Sequence, residues 1–131
     1  MRKDIEIPAV ENVYIVAVKE WDKDFTGQQW NIYFVNNRKD KIDTVLVVSR
    51  GESNDKKTST LRHGLGNLDS KTSAKVELIS EAVLGFTNEY LVTFFAENKL
   101  FERKFTFGPN SISEEKIIEI PALEKEGIFA K

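Results

Sequence analysis

The sequence predicts an all-β fold: a single antiparallel β-sandwich of immunoglobulin-like type, with a small β-barrel as the alternative and an irregular C-terminal segment packed on a sheet. Three observations lead there. Apolar residues recur with period two or in short runs, and no stretch of ten or more carries a helical stripe. Nine Phe, three Tyr and two Trp, with abundant Val and Ile, favour a pleated surface. Turn-forming stretches separate the apolar runs at steady intervals. The 131 residues are the size of one domain, spanning 1–131 without a shift in composition.

Strands are expected near 4–8, 12–20, 29–36, 43–50, 58–62, 74–80, 88–96, 100–107 and 116–120. The connections are "DKDFTGQQ", "NNRKDK", "GESNDKK", "GLGNLDSKTS" and "GPNS". Short helical turns are expected at 80–84 and 122–126. In "WNIYFVNN", Trp30, Ile32 and Phe34 share a face, and Trp30 reads as core. The clearest hairpin is "NEYLVTFFAENKLFERKFTF". A two-residue turn at Asn98–Lys99 sets Ala96 opposite Phe101, Phe94 opposite Arg103, Val92 opposite Phe105 and Tyr90 opposite Phe107. One face is then apolar except for Arg103, which stacks on Phe94 with its guanidinium at the rim.

Three stretches depart from alternation. "VYIVAV" (13–18), "VLVV" (45–48) and "YLVTFFA" (90–96) are apolar on both faces. Each large side chain left in water forgoes roughly 1.5–3 kcal/mol, so these strands call for cover on their outer side. The segment after Pro109, or a second copy of the protein, would provide it.

The net charge of −2 argues against nucleic acid as a partner of the whole chain. Charge is nevertheless uneven: residues 50–75 are mainly basic and residues 111–126 mainly acidic. Without cysteine there is neither a disulfide framework nor a thiolate site. The opening residues lack the pattern of a signal peptide, and no run is long enough to span a bilayer, so a cytoplasmic location and no membrane contact are expected.

Chemical motifs are sparse. "LRHGLGNLDSKTS" (61–73) holds the one histidine and two glycines ahead of a Lys-Thr pair, yet Leu65 and Ser70 stand where a phosphate loop needs glycine. A looser anion site on the 50–75 loop would draw on Lys57, Arg62, His63 and Lys71 as ligand-binding residues. "WDKDFTG" begins like a calcium loop, but Tyr33 occupies the position of the bidentate glutamate; an Asp- and Gly-rich hairpin is the simpler reading. Nothing places a carboxylate or nucleophile beside His63, and no GxSxG elbow is present. No catalytic residue, metal site or cofactor is therefore assigned.

Together, "WNIYFVNN", "KTSTLRH" and "NEYLVTFFAENKLFERKFTF" resemble a family of small, uncharacterised bacterial proteins. The rhythm "WNIYFVNN…VLVV" is similar to immunoglobulin-type sandwiches, where a Trp-bearing strand precedes a polar turn and an apolar strand. The paired cysteines of true immunoglobulin domains are missing, so that likeness implies architecture alone. The expected function is a non-catalytic protein-interaction module using a sheet face or edge, with a protein partner or a homodimer. The alternative is a small-ligand or anion binder at the 50–75 loop.

Overall fold

The computed structural model describes residues 11–131; the strand expected over 4–8 lies outside them. Nine strands follow in order: β1 (Val13–Trp21), β2 (Gln28–Asn36), β3 (Ile42–Glu52), β4 (Leu61–Leu68), β5 (Thr72–Ile79), β6 (Thr87–Ala96), β7 (Lys99–Phe107), β8 (Ile118–Ile120) and β9 (Lys125–Phe129). One sheet has the order β5-β2-β1-β9-β8 and the other β4-β3-β6-β7, with every pairing antiparallel. The first seven strands make the Greek key of an immunoglobulin-like sandwich with the fourth strand in the second sheet. The sheets do not close into a barrel.

The inward faces meet in one core. Ile15, Ala17, Ile32 and Phe34 come from the first sheet; Val47, Tyr90, Val92, Phe94 and Phe105 come from the second. Phe94 stacks on Phe101 at 5.2 Å between ring centroids and lies 6.4 Å from Phe34. Trp30 is buried as expected.

The doubly apolar β1 finds its cover within the chain. Val16 and Val18 point outward and, with Val35 from β2, are buried under Ile120, with Ala122 and Leu123 packed alongside. The C-terminal segment thus lies on a sheet. It then returns as β9 between β1 and β8. Beyond β9, Lys131 exchanges two backbone hydrogen bonds with Thr106 of β7, at 2.7 and 2.9 Å, so the chain joins both sheets along one flank. The opposite flank, between β4 and β5, has no such bridge among the described residues.

Gly127 of β9 is required for this return. A Cβ there would stand 2.5 Å from the Ala17 carbonyl oxygen, which is fixed backbone. Gly127→Ala is expected to lower stability by about 1–3 kcal/mol by pushing β9 off β1. Hydrogen exchange should then show faster exchange at Ile128 and Ala130 than in the β3–β6 ladder.

An ionic clasp holds the same segment. Oε1 of Glu20 accepts hydrogen bonds from Asn31 Nδ2 (2.9 Å) and the Tyr33 hydroxyl (2.6 Å), while Lys125 donates to Oε2. Burial raises the Glu20 pKa, but the bonds from Lys125, Tyr33 and Asn31 outweigh it and hold the carboxyl below its usual range. Burial, reinforced by the Glu20 charge, lifts Tyr33 well above an ordinary phenol. A depressed carboxyl stabilises the fold fully above its unfolded pKa and loses that contribution as pH falls through its folded value. Acidification below about pH 4.5 should therefore lower the urea midpoint more in the wild type than in Glu20→Gln, as read by fluorescence.

Four sequence expectations are corrected. The β6–β7 turn is Glu97–Asn98, both at positive φ (54° and 63°), the requirement of a type I′ turn that Asn tolerates well. The pairs are therefore Phe94 with Phe101, Val92 with Arg103 and Tyr90 with Phe105. A shift of two residues preserves the faces, so the segregation survives. Arg103 lies over Phe105 at 4.3 Å rather than over Phe94, where the guanidinium of Arg38 is found at 6.0 Å. The strand expected at 58–62 instead runs through the glycines to Leu68. Residues 122–126 turn into β9 rather than forming a helical turn.

Candidate functional site

β4 places the four residues singled out in the sequence apart from one another. Arg62 points outward beside Val48, whereas His63, one residue on, faces inward beside Val47. Lys57 is exposed in the turn after β3. Lys71 lies beyond the far end of β4, where its Nζ donates to the Asn37 carbonyl (2.9 Å) and Oδ1 (3.1 Å). Six residue steps of strand and then a turn separate Arg62 from Lys71, roughly 20 Å along β4.

What His63 meets is Glu77, a residue without a signal in the sequence. Glu77 sits on β5 at a β-bulge, where the register against β2 shifts between Ile32 and Tyr33. The bulge inverts the alternation: Glu77 turns inward opposite Ile32, and Leu78 turns out to 48% exposure. From the first sheet Glu77 reaches three donors on the second. Its Oε1 accepts from the Ser49 hydroxyl (2.8 Å) and from His63 Nε2 (2.7 Å), which needs the Nε2-protonated ring. Its Oε2 accepts from the Tyr90 hydroxyl (2.9 Å). Burial, with the neighbouring Glu77 charge adding to it, raises the Tyr90 pKa far above the ordinary phenol value, so Tyr90 remains a donor.

A cavity of about 220 Å³ opens beside this cluster on the unbridged flank. Leu61, Ile79, Val83 and Tyr90 provide apolar wall; Glu77, Ser59 and Thr58 provide polar groups. Ser49 and His63 both bind the same carboxylate oxygen, so hydroxyl and imidazole are not paired as nucleophile and base. The arrangement can accept hydrogen bonds and bind a donor or cation. Asp22, the first residue of the calcium-like stretch, spends its oxygens within its own hairpin, on the Asp24 and Thr26 amides and the Thr26 hydroxyl.

A second feature lies on the outer face of the second sheet. Successive rows across the strands read Arg50–Glu89–Thr106, Arg62–Val48–Leu91–Lys104, Gly64–Leu46–Thr93–Glu102 and Asp43–Phe95–Leu100. Leu91, Phe95 and Leu100 are 37%, 44% and 51% exposed, and no described residue covers them. Glu89 bonds both Arg50 (2.9 Å) and Lys104 (3.2 Å) and is held below the usual carboxylate range by those cations. One end of the face carries three cations around one carboxylate. The other carries Asp43 and Glu102.

No family model, curated protein or solved structure matches this chain. Among the described residues, no helix is long and apolar enough to cross a membrane, and no three or more His, Asp or Glu side chains cluster as metal ligands.

Proposed function

We propose that the protein is a non-catalytic protein-interaction module whose binding surface is the outer face of the four-stranded sheet. The observation that carries this reading is the contrast between the two outer faces. The chain covers the apolar outer side of β1 with its own C-terminal segment, yet Leu91, Phe95 and Leu100 stand uncovered by any described residue. Contiguous apolar surface rimmed by charge is the usual character of an interaction site. The test is photo-crosslinking in the native host, with a benzophenone side chain at position 95. Leu78, similarly exposed on the other sheet, is the control position. Adducts to protein at 95 and not at 78 support the surface; equal labelling, or none, overturns it.

A second reading, small-ligand binding at the 50–75 loop, is favoured by the cavity beside Glu77. Its acidic wall suits an amine or another hydrogen-bond donor better than an anion. Leu61→Trp, which fills the mouth, should abolish any thermal stabilisation by small amines. A panel of amines and anions that stabilises neither protein removes this reading.

A further inference from the structure

Building on the reading of the outer face as an interaction surface, we infer that its partner is a second copy of this chain. The copies dock face to face about a two-fold axis that crosses the strands. Charge complementarity along the strands favours this pairing. The basic end of the face holds Arg50, Arg62 and Lys104 against the one carboxylate of Glu89, and the acidic end holds Asp43 and Glu102 beside Phe95, with Val48, Leu91 and Leu46 between. A two-fold axis passing between the Val48–Leu91 row and the Leu46–Thr93 row maps each strand onto its equivalent with the rows reversed. Lys104 then faces the partner subunit's Glu102, and Arg50 faces the partner subunit's Asp43. Val48 meets the partner subunit's Leu46, apolar on apolar, while Leu91 faces the partner subunit's Thr93 and Phe95 faces the aliphatic stem of the partner subunit's Glu89. Symmetry makes every one of these contacts twice. An axis parallel to the strands would instead bring the basic ends together, a like-charge contact that works against association.

The size of the face sets the strength. Four strands ~4.8 Å apart and four rows ~7 Å apart give roughly 500 Å² per copy, about 1,000 Å² in all. That is the low end for a specific interface, so the dimer forms at micromolar rather than nanomolar concentration and weakens with salt. Gly64 contributes by leaving the β4 side of the face low, since no atom lies within 4 Å of where its Cβ would be.

Sedimentation velocity of the full chain, from low micromolar to several hundred micromolar at low salt, tests the inference. The wild type should dimerise. Lys104→Glu and Glu102→Lys, both at exposed positions, should each weaken the dimer at least about tenfold, because each sets like charges opposite one another twice. Mixing the two variants should restore association as a heterodimer, since one then presents two lysines to the other's two glutamates. Circular dichroism confirms that both variants are folded. A wild type that stays monomeric, a dimer indifferent to both reversals, or a mixture that remains monomeric overturns the inference. The crosslink at position 95 separates this failure from failure of the surface itself. A monomer that crosslinks a different protein loses only the dimer; a monomer whose crosslink falls on residues 1–10 of its own chain loses both.

Discussion

Phe94→Ala lowers the stability of the protein by about 3–5 kcal/mol in urea denaturation. Its ring is 1% exposed, lies nearly parallel to that of Phe101 (6° between planes), and touches the first sheet through Phe34. The guanidinium of Arg38 lies 6.0 Å from one ring of this stack and 5.1 Å from the other, and Asp40 fixes it through two hydrogen bonds of 2.7 and 3.0 Å. Truncation removes the transfer free energy of the ring, leaves a void that rigid β-strands fill poorly, and strips the stack of its partner. Against a total of about 5–15 kcal/mol, much of the folded population margin disappears. Phe95→Ala, one residue along and facing outward, should change stability by less than about 1 kcal/mol. Similar losses at the two positions would mean that the assignment of faces is wrong.

Glu77→Ala should cost about 2–4 kcal/mol. Removing the carboxylate leaves the Ser49 and Tyr90 hydroxyls and His63 Nε2 without their common acceptor, two of the three residues being almost wholly buried. It also cuts the polar tie between the sheets on the flank that the C-terminal segment does not bridge. Tyr90→Phe, which removes one donor and leaves the carboxylate two others, should cost only about 1 kcal/mol. The order of the two losses in thermal unfolding is the decisive reading. Equal losses would show that the phenol, rather than the carboxylate, organises the cluster.

The fold was legible where apolar residues alternate and turns intervene. Residues 87–107 declare both strands and their faces; only the turn lies one residue from its expected place, which shifts the pairing by two, because Glu97 accepts a left-handed φ that its type does not announce. Glycine signals a turn, so the sequence alone ends the strand at residue 62, short of the full β4. Here Gly64 and Gly66 sit within an edge strand whose pairing with β3 shifts twice. β9 was hidden by "KEG", a charged, glycine-bearing run that becomes a strand only through contact with β1. The site was concealed by a single inserted residue. Strict alternation through "KVELI" would put Leu78 inside and Glu77 in water, and the bulge on β5 exchanges them. Neither His63 nor Glu77 alone carries a pattern; their meeting is created by a crossing between sheets.

β7 has Lys131 hydrogen-bonded to it at Thr106, β8 is only three residues long, β5 is bulged, and β4 is kinked by Gly66 at φ 70°. Each offers an incoming strand a broken row of amides and carbonyls, which is how natural sheets resist growing into fibres. Among the described residues, growth along the ladder direction is thus hindered at each of these four borders.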